Sequence, residues 1–120
     1  MHKTTVLVSN EPRAYREAIA SALQMLCPHA EIVVRGDDLG DDLDAAVAAV
    51  RPDMVICNRA TALARTAHAW IELYPDGARS ATVGVSGACD AVPGIDLGAL
   101  ATLIDRIAAD VGPDSPTRME

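Results

Sequence analysis

The sequence predicts an α/β fold in a single domain, and three observations support this prediction. Short apolar runs rich in β-branched residues alternate with segments of helical periodicity over the first half of the chain. A length of 120 residues suits one domain. Half of the residues are apolar although phenylalanine is absent. We therefore expect residues 1–112 to form one α/β domain with a core of small aliphatic side chains, followed by a short disordered tail at 113–120.

The first half of the chain predicts three strands joined by two helices. The strands are "KTTVLVS" (3–9), "AEIVVRG" (30–36) and "RPDMVICNRA" (51–60). Between them, "NEPRAYREAIASALQMLCP" (10–28) predicts a helix that Asn10 can cap, and "DDLGDDLDAAVAAVRP" (37–52) predicts a second. The expected apolar stripes are Tyr15, Ile19, Ala22 and Leu26 in the first helix and Leu43, Ala46, Val47 and Val50 in the second. This alternation is typical of a mostly parallel sheet covered on both faces, a three-layer sandwich.

The second half departs from this alternation. Residues 61–74 fit a helix, but "HAWIELY" (68–74) also alternates as a strand, and the turn sequence "PDGAR" leads into "SATVGVSG". We favour a β-hairpin over about residues 68–86 and keep the helix as the alternative. Only "ACDAVPG" (88–94) separates this hairpin from a last helix, which Asp96 can cap. We therefore expect the fourth helix of a regular repeat to be missing.

Composition excludes several functions. A net charge of −7 argues against nucleic acid as a partner, because binding the phosphate backbone needs clustered Lys and Arg. No apolar run approaches the length of a membrane span, and the start lacks the apolar segment of a signal peptide, so we expect a cytoplasmic protein. Cys27, Cys57 and Cys89 are too far apart for a zinc module or a disulfide framework. We expect no metal and no cofactor.

Four polar residues are expected to meet at one edge of the sheet. Ser9 and Asn10 follow the first strand, and Cys57 and Asn58 end the third. In parallel sheets ligands bind at the carboxyl ends of the strands. Cys57 lacks the arginine spacing of a phosphatase loop, so an inert buried thiol is the favoured interpretation. The acidic residues beside the second helix are explained by capping and by the helix dipole; they are Asp37, Asp38, Asp41, Asp42 and Asp44.

"TTVLVSNEPRAYREAIASAL" and "RPDMVICNRA" together resemble the receiver domain of bacterial response regulators, a flavodoxin-like domain that is switched by aspartyl phosphorylation. The resemblance implies an acidic Mg²⁺-binding pair at the end of the first strand, where this chain has Ser9 and Asn10. It implies a phosphoacceptor aspartate at Asn58 and a hydroxyl switch at Ser86. The family's lysine has no counterpart, since Lys3 is the only lysine. An amide cannot accept a phosphoryl group. The resemblance therefore implies a degenerate receiver without phosphorylation.

Such a domain is expected to act by protein contact. The segment "AWIELYP" gathers most of the aromatic residues, and the predicted hairpin would leave an edge strand and a poorly covered sheet face. Core packing is the favoured explanation of these side chains, because a core without phenylalanine needs its few aromatic residues to fill volume. We nevertheless regard Trp70, Ile71, Leu73 and Tyr74 as a possible interface, with a homodimer as the expected assembly.

The leading hypothesis is a regulatory or protein-interaction module that is not an enzyme. The alternative is a small-molecule-binding protein or minor enzyme that uses Ser9, Asn10, Cys57, Asn58 and Ser86 at the sheet edge. A third possibility is a structural subunit of a larger complex.

Overall fold

A computed structural model describes residues 4–11, 13–35, 42–73, 80–85 and 87–111. The described elements are β1 (Thr5–Val8), α1 (Arg13–Leu26), β2 (Glu31–Val34), α2 (Leu43–Val50), β3 (Met54–Cys57), a short 3-10 helix (Ala64–Thr66), β4 (Ala69–Leu73), β5 (Ser80–Val85), β6 (Ala88–Pro93) and α3 (Leu97–Val111). The predicted α/β class is confirmed. None of the helices in these ranges has the length and apolarity needed to cross a membrane.

The six strands form one mixed sheet in the order β2-β1-β3-β4-β5-β6. The first four strands pair in parallel, whereas β5 and β6 are added antiparallel. The hairpin prediction is confirmed, because Trp70 on β4 lies opposite Gly84 on β5. The helical alternative for residues 61–74 is wrong apart from the single 3-10 turn. The turn at 74–79 lies outside the described residues.

β6 corrects the expectation that residues 88–94 merely connect the hairpin to the last helix. It pairs with β5 along its whole length, from Ala88 opposite Val85 to Pro93 opposite Ser80. Only two residues separate the strands, and one of them is Gly87, whose φ of 90° suits a tight hairpin turn. The Ser-Gly dipeptide at 86–87 is a turn signal that could have revealed this second hairpin.

Helices cover the sheet on both faces. On one face, α1 and α3 pack on the alternate strand residues that include Val6, Met54 and Ile71. On the other face, α2 and the 3-10 helix pack on Leu7, Val55 and other residues of the opposite parity. Successive strand side chains point to opposite faces, so each parallel strand contributes to both cores. Among the described residues no further helix lies between β5 and α3.

The buried face of α1 differs from the predicted stripe. Ile19 is buried as expected, but Tyr15 and Leu26 are exposed. The buried positions are Arg16, Ile19, Ala20 and Leu23. The helix is apolar on more than one side, so spacing alone could not decide which side faces the sheet. The predicted stripe of α2, by contrast, does face its core.

The Trp70 side chain packs against the backbone of Gly84 on the α2 side of the sheet. The indole is only 9% exposed and lies against Gly84, where an added Cβ would come within 2.2 Å of its Cε2 atom. The Arg65 guanidinium covers the ring at 4.8 Å from its centroid, a cation–π contact. A glycine at position 84 therefore lets the single tryptophan lie flat on the hairpin.

Replacing Gly84 with alanine should destabilise the domain by about 1–3 kcal/mol, because the methyl group forces the indole out of its place. Urea unfolding followed by tryptophan fluorescence measures the loss. Gly98→Ala is the matched control, since at this exposed position in α3 the new Cβ makes only an ordinary 3.5 Å contact with Asp96. The control should be unchanged or up to about 1 kcal/mol more stable. Equal stabilities for both variants would contradict the proposed contact.

Candidate functional site

The carboxyl edge of the parallel strands brings together three of the predicted site residues. Ser9 after β1 and Cys57 and Asn58 at the end of β3 line one shallow groove. Asn10 is completely buried and does not line this groove. Ser86 lies outside the described residues. The groove has a volume of about 260 Å³ and is lined by Ser9, Glu11, Asp42, Leu43, Cys57, Asn58 and Arg59.

Asn58 is held by both ends of its amide. Its Oδ1 accepts a hydrogen bond from the Glu11 backbone N–H at 2.6 Å, and its Nδ2 donates to the Glu11 carbonyl oxygen at 3.0 Å. This pair of bonds fastens the end of β3 to the loop between β1 and α1. An aspartate could accept the first bond but could not donate the second. The amide at position 58 can therefore form both hydrogen bonds to Glu11, whereas a carboxylate could form only one.

Asn10 forms a second link along the same edge. Its side chain is completely buried, and its Nδ2 donates to the Leu73 carbonyl oxygen at 3.1 Å. The expectation that Asn10 caps α1 is wrong, because this bond directs the side chain across the sheet towards the end of β4. Its Oδ1 atom has no hydrogen-bond partner within the described part of the chain. Asn58 thus joins the neighbouring strands β3 and β1, whereas Asn10 reaches past β3 to the end of β4.

Glu11 is the only acidic residue in the loop that follows β1. Its carboxylate is paired with Arg16 at 2.9 Å, and the Arg16 side chain is only 1% exposed. A buried cation without a partner has a high free-energy cost, so the Glu11 carboxylate is needed to balance the charge of Arg16. Sequence reasoning missed Arg16, although it shares helical spacing with Ile19, Ala20 and Leu23 and could have been placed on the buried face.

Cys57 is a buried thiol and not a poised nucleophile. It is 2% exposed, and burial, followed by the nearby Glu72 carboxylate, raises its pKa from 9.0 to about 12, although Arg65 acts in the opposite direction. The thiolate is the reactive form of cysteine. Glu72 itself accepts a hydrogen bond from the Ala60 backbone N–H at 2.8 Å and lies 3.5 Å from Arg65. The Glu72 carboxylate therefore stabilises the connection between β3 and β4, and it also disfavours the thiolate form of Cys57.

Among the acidic residues near α2, the two that the structure describes form hydrogen bonds that stabilise the local structure. Asp42 caps α2 by accepting a hydrogen bond from the Ala45 backbone N–H at 2.7 Å, as the sequence predicted. Asp44 accepts one from the Thr61 hydroxyl at 2.5 Å. Asp37, Asp38 and Asp41 lie outside the described residues. Within the described ranges, no group of three or more His, Cys, Asp or Glu residues could hold a metal ion.

The groove offers little to a ligand. Its volume of about 260 Å³ falls below the usual range for small-molecule pockets, roughly 300–1,000 Å³. Its thiol is protonated, and its one amide is already bonded to Glu11. Ser9 is 9% exposed, and of the charged residues in the lining Glu11 is paired with Arg16 and Asp42 caps α2.

The residues considered as an interface are largely internal. Trp70, Ile71 and Leu73 are buried at 9%, 0% and 0% exposure, each within one of the two cores. Tyr74 lies outside the described residues. The large apolar side chains that are exposed lie elsewhere, mainly on α1.

Comparisons with known proteins identify no relative. No protein-family model, no curated protein and no solved structure matches this chain. The function must therefore be argued from the residues and their geometry.

Asn58→Asp should lower the free energy of unfolding by about 1–3 kcal/mol, because it removes a donor and sets a second acceptor against the Glu11 carbonyl. Urea unfolding at neutral pH measures the change. Gln24→Glu is the matched control, an amide-to-carboxylate change at an exposed position of α1. The control should stay within about 0.5 kcal/mol of the parent. An Asn58→Asp protein as stable as the control would show that the amide is not needed as a donor.

Iodoacetamide at about pH 8 should label Cys89 at least about 100-fold faster than Cys57, since Cys89 is exposed and Cys57 is buried with a raised pKa. Peptide mass spectrometry over a time course distinguishes the two thiols. In concentrated urea, both cysteines should be labelled at similar rates, and this measurement serves as the control. Rapid labelling of Cys57 in the folded protein would instead indicate an activated thiol.

Proposed function

We propose that this chain is a receiver-like, flavodoxin-like domain that has lost phosphoryl transfer and acts by protein contact, with a second copy of itself as a partner. The strand order supports the scaffold. The first five strands follow the order 2-1-3-4-5 of doubly wound flavodoxin-like sheets, and α1 and α2 lie on opposite faces. The antiparallel strands β5 and β6 differ from that scaffold, so the proposed departure of this chain from a receiver domain lies in its second half.

The single observation that carries the proposal is the double hydrogen bond between Asn58 and the backbone of Glu11. The resemblance assigns the phosphoacceptor to this position. An amide cannot attack phosphorus, and here both of its polar atoms are occupied in holding the loop. The position that would carry the chemistry instead contributes to the stability of the edge.

The residues around Asn58 support the further proposal that the domain does not bind Mg²⁺ as a receiver domain does. Hard divalent cations bind clusters of carboxylate oxygens. The assigned acidic pair is replaced by Ser9 and the inward-facing Asn10, and the carboxylate of Glu11 is paired with Arg16. The proposed domain therefore lacks the metal that phosphoryl transfer between a small donor and a receiver requires.

We also propose a cytoplasmic location. Cys27, Cys57 and Cys89 are all free thiols, and the exposed Cys89 would be prone to oxidation outside a reducing compartment. A receiver-like signalling role would fit such a location.

Incubating the protein with phosphoramidate and Mg²⁺ tests the loss of phosphoryl transfer. Intact mass spectrometry should show no Mg²⁺-dependent phosphoryl group that hydroxylamine releases, because no carboxylate occupies position 58. A phosphorylatable receiver domain treated in the same way provides the positive control. A phosphoryl group that is carried on an aspartate and released by hydroxylamine would refute the proposal.

A further inference from the structure

A second depression in the surface lies at the opposite end of β3 from the groove beside Asn58. Its volume is about 440 Å³, within the range of roughly 300–1,000 Å³ that is usual for small-molecule pockets. The start of α2 lines the groove, whereas the last turn of α2 lines this second depression. We call it the α2 crevice; its lining comes from residues 47–52 and 63–67.

Most of the wall of the α2 crevice is apolar. Leu63 is 39% exposed and is one of four large hydrophobic side chains that are exposed within the described ranges. Covering such a side chain with an apolar ligand is favourable, because it removes apolar surface from water. The apolar lining residues are Val47, Ala48, Pro52, Leu63 and Ala67.

The Arg51 guanidinium is the side-chain donor that the crevice offers to a ligand. The other polar side chain of the lining, Thr66, donates its hydroxyl to the Leu63 carbonyl oxygen at 2.6 Å. The backbone N–H groups of Arg51, Thr66 and Ala67 are bonded to carbonyl oxygens three or four residues earlier. Within the described ranges the guanidinium itself has no ion pair. A ligand that pairs with Arg51 must therefore bring a hydrogen-bond acceptor.

Arg51 also has an unfavourable backbone conformation. It ends α2 with φ 52° and ψ 57°, in the left-handed region, and no other non-glycine residue that the structure describes has a positive φ. Glycine is the usual residue at such a helix end. A cation there suits the helix dipole, but the last turn of α2 could carry one without strain and has no basic residue. Strained residues concentrate at ligand sites, so the conformation of Arg51 points to a use for its side chain.

The charges around the crevice favour an anion. Residues 58–68 include Arg59 and Arg65 but no Asp or Glu. The acidic side chains of the adjoining elements are engaged elsewhere: Asp44 accepts from Thr61, Asp53 from the Thr5 backbone, and Glu72 from the Ala60 backbone. More distant acidic groups, which give the chain its net charge of −7, are screened beyond about 8 Å at physiological salt.

We propose that the α2 crevice binds a small organic acid, with the carboxylate on the Arg51 guanidinium and a compact apolar body between α2 and the 3-10 helix. Guanidinium and carboxylate match in geometry, because two parallel N–H donors face two oxygens. The carboxyl end of α2 has a partial negative charge, which keeps the carboxylate at the guanidinium and away from the helix end. This site is separate from Asn58, and its existence does not depend on the proposed function.

Nuclear magnetic resonance titration of the ¹⁵N-labelled full chain tests the proposal with benzoate and with 3-methylbutanoate as probes. Each acid should bind with a Kd of about 1 mM, since so small a ligand makes few contacts, and should shift the backbone signals of Ala48, Arg51, Thr66 and Ala67. Benzamide and 3-methylbutanamide have the same shapes without the charge and should bind at least about tenfold more weakly. Inorganic phosphate, an anion without an apolar body, should also bind at least about tenfold more weakly.

Two variants at Arg51 separate loss of binding from loss of folding. Arg51→Gln and Arg51→Gly should each weaken benzoate binding at least about tenfold. Arg51→Gly should need at least as much urea to unfold as the parent, because glycine adopts the left-handed conformation without strain. Arg106→Gln is the matched control for lost charge. It removes an exposed arginine from α3 on the other face of the sheet and should bind benzoate like the parent.

A second pair of variants tests the apolar part of the crevice with Arg51 intact. Ala48→Leu puts a larger side chain into the crevice and should weaken benzoate binding at least about fivefold. Ala49→Leu makes the same change at the next exposed position of α2, which does not line the crevice, and should bind like the parent.

Three outcomes would overturn the proposal. The first is that neither acid shifts the crevice signals at concentrations up to about 50 mM, well above the expected Kd. The second is that the amides bind as tightly as the acids, which would show that the carboxylate is not recognised. The third is that Arg51→Gly and Arg51→Gln both bind benzoate like the parent.

Discussion

The parallel pairing around β3 is the constraint on which the rest of the structure depends. All four of its residues, Met54–Cys57, are buried, and it pairs with β1 on one side and β4 on the other. Asp53 secures the start of the strand, because its carboxylate accepts a hydrogen bond from the Thr5 backbone N–H at 2.9 Å. A strand buried on both faces must place its polar ends at the two edges of the sheet. The contacts of Cys57 and Asn58 follow from that position.

At the carboxyl edge, the polar groups are used to hold the strands together. Asn58 binds the loop after β1, and Asn10 binds the end of β4. Arg16 beneath the loop takes up the charge of Glu11. The bonds of Asn10 and Arg16 satisfy side chains that are buried, where a polar group without a partner costs about 1–3 kcal/mol. The polar side chains at this edge are therefore occupied in joining strand ends and loops.

The second half of the domain is organised by small residues. Gly84 lets Trp70 lie flat on the hairpin, and Gly87 turns the chain so tightly that β6 can form where a helix would otherwise follow. On the opposite side of the sheet, α1 buries one apolar side and leaves Tyr15, Met25 and Leu26 exposed.

The sequence by itself determined the first three strands, the helices and the hairpin at β4 and β5, because periodicity and turn residues act locally. It also determined that position 58 carries an amide, which cannot accept a phosphoryl group. Only the tertiary structure decided which side of α1 is buried, since Tyr15, Leu26 and Leu23 fit helical spacing equally well. Only the tertiary structure assigned Asn10 to Leu73 and Asn58 to Glu11. These partners are distant in the chain, and their pairing depends on which strands become neighbours, which no local pattern records.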